Sequence, residues 1–237
     1  MKIAIIGTNR ERVEETVRKA MSEWSIYQTP IQTIWNVQYP EDENELPEAF
    51  REWVRENNDA EKRLLHRLNL LIEQDEKYKE MGYVFYNGCG IDLICEGVIG
   101  YEKGEIAEEV IDKLIYYNKK LMRNLDAIFW IPEEMEENHE NPELEKLETA
   151  YGNLWMDYQN NLAASPFFEA ENVPGFLRVD ETNPIMYMKY VINSRGNLAD
   201  DKDDLVDMGQ MERLFKKAPE LLEALKKGTS GEDIVLK

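Results

Sequence analysis

At 237 residues with 43% hydrophobic content, the chain is long enough for one sizeable core, or for one domain with an appended segment. Forty-eight acidic residues against 28 basic ones give a formal net charge of -20, which opposes diffuse attraction to a nucleic-acid backbone and favours a basic protein surface as partner. No apolar run approaches the ~20 residues of a membrane span and the start shows no signal-peptide layout, so the expectation is a soluble, cytoplasmic protein without membrane contact.

In chain order, "KIAII" at Lys2–Ile6 is a continuous apolar run, as a central parallel strand covered on both faces requires. The segments "IQTIW" (Ile31–Trp35), "YVFY" (Tyr83–Tyr86), "AIFWI" (Ala127–Ile131) and "GFLRV" (Gly175–Val179) are further strands, rich in β-branched and aromatic residues. Helical patterns separate them at Glu11–Trp24, Pro47–Glu56, Ala60–Met81, Gly90–Ile99, Glu105–Leu125, Pro142–Ala163 and Pro184–Ser194. Leu64, Leu65, Leu68, Leu71 and Ile72 follow a 3.6-residue period, which marks a packing face. Strands alternating with helices predict an α/β fold with a mainly parallel sheet.

From Asn197 the composition turns acidic in "NLADDKDDLVDMG" and ends in an amphipathic helix near Met208–Lys227. The domain reading is therefore 1–196 for the α/β domain and 197–237 for an acidic linker with a terminal helix.

The stretch "GTNRERVE" (Gly7–Glu14) stands where a phosphate loop follows a first strand. A working loop reads G-x-x-x-x-G-K-[S/T]: glycines wrap the phosphates, lysine neutralises them and a hydroxyl ligates magnesium. Counted from Gly7, the last three positions hold Arg12, Val13 and Glu14. Val13 supplies no charge, and Glu14 in the first helical turn would compete with phosphate for the helix N-terminus.

A second stretch, "YVFYNGCGIDLICEG" (Tyr83–Gly97), resembles the third-strand segment of phosphate-loop nucleoside and nucleotide kinases and of small phage ATPase-like kinases. In that family an apolar strand runs into Asp-Arg-Ser-Pro and then an Ile-Asp pair. Laid on the pattern, Asn87, Gly88, Cys89 and Gly90 replace the first four, while Ile91 and Asp92 match. The family's aspartate acts near magnesium or the substrate hydroxyl and its arginine binds phosphate; an Asn87 amide is no base, and Gly88 has no side chain. "NLDAIFWIPEEMEENHENPELEKLE" is similar in layout to the fourth strand and lid, but Glu133–Glu148 holds one lysine and no arginine.

The resemblance implies a three-layer kinase-like fold with five parallel strands in the order 2-3-1-4-5, over roughly Met1–Ser194. The expected function is a catalytically inactive relative that serves as a binding or assembly factor without a cofactor. The likeness to small phage kinases adds a phage origin as an option, and with it the host cytoplasm or the virion. A divergent nucleotide or deoxynucleotide kinase using Arg10, Arg12, Arg18 and Lys19 on an anion is the alternative. Interleaved Glu11, Glu14 and Glu15 favour solvation of those four cations instead. A third reading is an acidic mimic of nucleic acid.

Neither His66 nor His139 has a second histidine or cysteine at metal-ligand spacing, so no metal site is expected. Cys89 and Cys95 lie six apart; on one helix their Cα atoms would be about 9 Å apart, beyond disulfide reach, and buried free thiols are expected. The acidic segments Glu41–Glu48, Glu133–Glu148 and Asp200–Asp207 are the expected contacts for a basic partner.

Overall fold

A computed structural model of the chain describes residues 1–23, 32–35, 37–81, 84–133, 141–169, 173–179 and 183–198. His139, Asp200–Asp207 and the terminal helix expected at Met208–Lys227 lie outside the described residues. The chain divides into two compact units, Met1–Lys189 and Tyr190–Lys237.

Five strands, β1 (Lys2–Ile6), β2 (Gln32–Thr33), β3 (Val84–Asn87), β4 (Ala127–Trp130) and β5 (Gly175–Arg178), form one parallel sheet in the order β2-β3-β1-β4-β5. The α/β class and the strand order expected from the sequence both hold. The "KIAII" run is buried at every position, as a central strand in a two-sided layer must be. Its register sets Ile3 beside Phe85 and Ala127, and Ile5 beside Asn87 and Phe129.

The helices are α1 (Arg10–Glu23), α2 (Glu48–Val54), α3 (Asp59–Lys77), α4 (Gly90–Glu102), α5 (Glu108–Met122), α6 (Pro142–Asn161) and α7 (Pro184–Leu198). Ala4, Ile6, Ile128, Trp130 and Phe176 share a core cluster with Leu65 and Leu68 of α3, Leu93 of α4, Leu114 of α5 and Leu154 of α6. Alternation along the strands sends the buried Ile3, Ile5 and Phe129 to the opposite face, where α1 packs on β1 and β3 with Val13, Val17 and Ala20 buried. Each large apolar side chain removed from water contributes roughly 1.5–3 kcal/mol, so two covered faces account for the continuous apolar strands.

Helix boundaries differ from the pattern-based ones for local reasons. The helix expected at Ala60–Met81 begins at Asp59, because the Asn58 side chain accepts from the Ala60 and Glu61 amides while Glu61 accepts from the Asn58 amide at 2.9 Å. That reciprocal cap satisfies three otherwise orphaned donors. The expected Gly90–Ile99 helix runs on to Glu102, and the expected Pro142–Ala163 helix tightens into a 3-10 turn at Leu162–Ala164. Among the described residues no helix is long and apolar enough to cross a membrane.

Candidate functional site

In the order β2-β3-β1-β4-β5 the connections leaving β1 and β3 run in opposite directions, which makes the crevice beyond their C-terminal ends the place where open α/β sheets hold ligands. Two short connections meet there: Gly7-Thr8-Asn9 between β1 and α1, and Gly88-Cys89 between β3 and α4. Gly88 has φ +94°, and a Cβ there would lie 2.8 Å from the Trp35 indole nitrogen, so the turn and the ring together require glycine.

The first connection is three residues long, and α1 starts at Arg10. Asn9 caps it by accepting from the Arg12 amide at 3.0 Å. Gly7 is held by the close approach of the Ile131 carbonyl, 2.6 Å from where a Cβ would stand. Counting from Gly7 puts Glu14 in the first turn; with the helix beginning at Arg10, Glu14 lies past that turn and pairs with Arg18 instead. Val13 is buried on the sheet. The Arg12 guanidinium donates to the Pro132 carbonyl at 3.2 Å and lies 3.7 Å from a Glu133 oxygen.

Arg10 overturns the expectation of a solvated cation. Its Nη1 donates to the Gly7 carbonyl and to Asp92 Oδ1, both at 2.8 Å, and its Nη2 reaches the Tyr151 hydroxyl at 3.3 Å. The guanidinium carbon lies 3.3 Å from the centroid of the Trp35 ring, a cation–π stack. The neighbouring glutamates favour solvation, but Asp92, distant in sequence, is the partner that draws Arg10 inward. Arg18 and Lys19 behave as expected, in i,i+4 pairs with Glu14 and Glu15 on the outer face.

Asp92, the residue that keeps the family's Ile-Asp pair, is fully buried. One oxygen accepts from the Cys89 amide at 2.7 Å, closing the start of α4, and the other accepts from Arg10 and from the Tyr151 hydroxyl. Burial lowers the guanidinium's affinity for its proton, but the Asp92 carboxylate and the hydrogen bonds to Asp92 and Tyr151 outweigh burial and the Arg10 pKa moves up. Burial, followed by Asp92, drives the Tyr151 phenol well up as well, so it stays protonated as a donor. Asn87 is buried with its Oδ1 unpartnered.

On the β4 side, the Thr8 hydroxyl donates to Glu148 Oε2 at 2.7 Å and the Glu133 amide donates to Glu148 Oε1 at 3.3 Å. Asn9 reaches the Glu133 carboxylate at 3.4 Å. Two carboxylates from the region expected to act as a lid thus stand beside the start of α1. Burial pushes the Glu148 pKa up, and the charge of Glu133 adds to it. Sequence reasoning missed Tyr151 and saw Glu148 only as the end of the acidic Glu133–Glu148 segment; their three-residue spacing puts them on one face of α6.

A cavity of about 340 Å³ adjoins this network, lined by Trp35, Tyr39, Arg63, His66, Arg67 and Glu96 among others. Arg67 is paired with Glu96, while Arg63 makes no ion pair or side-chain hydrogen bond among the described residues. His66 Nδ1 is buried without a partner, and burial lowers its pKa. Among the described residues no three His, Cys, Asp or Glu side chains are grouped as a metal centre requires. Cys89 and Cys95 are free and buried, as expected.

No family model matches the chain, and no curated protein matches it. Solved structures do. A deoxyadenosine kinase from M. mycoides with products dCMP and a flexible dCDP bound superposes with a TM-score of 0.52 at 14% identity, covering 83% of this chain and 100% of that one. The chain has a nucleoside-kinase-like fold. Structures of deoxyadenosine kinase from M. mycoides with bound dATP (16% identity, 81% and 99% coverage, TM-score 0.48) and with bound dCTP (16%, 82% and 100%, 0.44) are also similar to it. At these identities the likeness concerns the fold alone.

Proposed function

We propose that this chain is a kinase-fold protein without phosphoryl transfer that works by binding a basic protein partner. The observation that carries the first half is the hydrogen bond from Thr8 to Glu148, with Glu133 beside it, at the start of α1. A phosphate entering there would meet two carboxylates where it needs backbone N–H groups and a lysine. The three-residue connection offers few free amides to wrap an anion, and Arg12, Val13 and Glu14 are each engaged elsewhere. On this reading Gly7, Arg12, Val13 and Glu14 are the degenerate phosphate-loop positions, and Asn87, Gly88 and Asp92 the degenerate third-strand motif. The net charge of -20 supports the second half, because it steers basic surfaces toward the chain.

The cavity beside Trp35 favours a second reading, a divergent nucleotide or deoxynucleotide kinase. Arg63 is an uncompensated cation at its wall, and Trp35 and Tyr39 offer aromatic surface to a planar base.

Titration with ATP, GTP and deoxynucleoside monophosphates, with and without magnesium, followed by thermal unfolding and a phosphoryl-transfer assay, separates the two. A ligand at a hundred times its Kd stabilises by about 2.7 kcal/mol. The leading reading expects no turnover; measurable turnover by the unmodified protein ends it. Stabilisation by a nucleotide without turnover would keep the cavity as a binding site and leave catalysis absent.

A further inference from the structure

A groove of about 460 Å³ lies between α4 and α6. Its floor is apolar: Cys95, Val98 and Ile99 from α4, Ala150 and Leu154 from α6, and Phe167. The α4 contributions fall at i, i+3 and i+4, the stripe by which one helix receives another. Lining residues on α6 extend from Pro142 to Asp157, about 22 Å at 1.5 Å per residue, which matches about four turns of helix.

The rim is acidic. Glu102 of α4 and Glu145 of α6 are exposed at the groove and make no ion pair or side-chain hydrogen bond among the described residues. Nearby carboxylates on the same two helices are satisfied: Glu96 by Arg67 and Glu143 by Lys103 at 2.6 Å. Asp157 adds a third acidic group and Lys146 is the cation among the lining residues. An apolar floor flanked by unpaired carboxylates on facing helices complements an amphipathic helix whose apolar face is bordered by lysine or arginine.

We propose that the α4–α6 groove is the docking site for a basic amphipathic helix of a partner protein. This rests on the binding-protein reading above and gives it a location. The apolar face of the incoming helix covers Val98, Ile99, Ala150 and Phe167, and its flanking cations meet Glu102 and Glu145. Apolar burial supplies affinity and the carboxylates set orientation and speed of encounter.

The test uses the full chain and a fluorescent 18-residue Leu/Lys amphipathic peptide, read by anisotropy at 0.1 M salt. Two reversed-charge variants of equal net charge are compared, Glu102→Lys with Glu145→Lys at the groove and Glu52→Lys with Glu56→Lys, exposed and outside the three acidic segments. The groove variant should bind about tenfold more weakly than the unmodified chain while the control changes by less than about twofold. A peptide of the same charge with serine for leucine should not bind. Equal weakening in both variants, or equal binding of the serine peptide, overturns the proposal by making the attraction nonspecific. Sedimentation showing a dimer that only the groove variant dissolves would overturn it too, assigning the groove to a second copy. Both variants are at exposed positions, so unchanged unfolding midpoints exclude misfolding. Failure here with no phosphoryl transfer leaves the inactive-kinase reading standing, whereas turnover overturns that reading whatever the peptide does.

Discussion

The guanidinium of Arg10 and the carboxylate of Asp92 meet at 2.8 Å across 82 residues of sequence, and Asp92 is fully removed from solvent. The pair joins the start of α1 to the start of α4 directly beneath the crevice. Its partners, Tyr151 and the Cys89 amide, leave the buried carboxylate fully hydrogen-bonded. Arg10 is therefore committed to the architecture.

Removing one member strands the other. Arg10→Met should destabilise the fold by about 3–5 kcal/mol, the usual result of leaving a buried charge unpaired. Adding Asp92→Asn to that variant should recover part of the loss, and urea unfolding of the four-member cycle measures the coupling. A loss below about 1 kcal/mol for Arg10→Met would place the pair among weak surface bridges.

The start of α4 has no room for a methyl group. A Cβ on Gly90 would stand 1.9 Å from Asn118 Oδ1, and Asn118 is buried with both amide atoms unpartnered. Gly90→Ala should cost about 1–3 kcal/mol by overpacking. Asn118→Ala in the same chain should return most of it, as read by the thermal midpoint.

Glu148 gives a pH dependence of definite sign. Burial raises its folded-state pKa, so the native state binds its proton more readily than the unfolded chain does. The ionised group costs stability above the folded pKa, and that cost disappears as pH falls through the folded value toward the ordinary carboxylate value. Glu148→Gln keeps an acceptor for Thr8 and should be more stable than the unmodified protein at pH 7, with the difference vanishing near pH 4. Paired unfolding curves across that range check it.

The same carboxylate is expected to exclude anions. With Glu133→Gln and Glu148→Gln together, pyrophosphate affinity measured by calorimetry should rise, because repulsion beside the start of α1 is removed. A titration that stays flat would show that the short connection, and not the charge, excludes phosphate.

Cys89 and Cys95 should resist a thiol reagent in the native state and react together on unfolding. Burial drives both thiols up, away from the reactive thiolate. Rapid native labelling of either at pH 8 would contradict their enclosure.

Much of the scaffold is readable from the sequence, because it depends on short-range pattern. The unbroken apolar run at Lys2–Ile6 can be satisfied only between two layers, and the alternation of strands with amphipathic helices leads to a parallel sheet. The i,i+4 pairs of Glu14 with Arg18 and Glu15 with Lys19 also follow from helix geometry alone. What tertiary structure decided are the encounters between distant segments. Among the local glutamates Arg10 reads as a solvated cation; Asp92, Tyr151 and Trp35 bring it inside, and none is within helical reach. Glu148 reads as one more residue of an acidic segment, until the fold sets it against Thr8. Periodicity specifies which face of an element is buried, while the identity of the group waiting there depends on how the layers assemble, which no local spacing encodes.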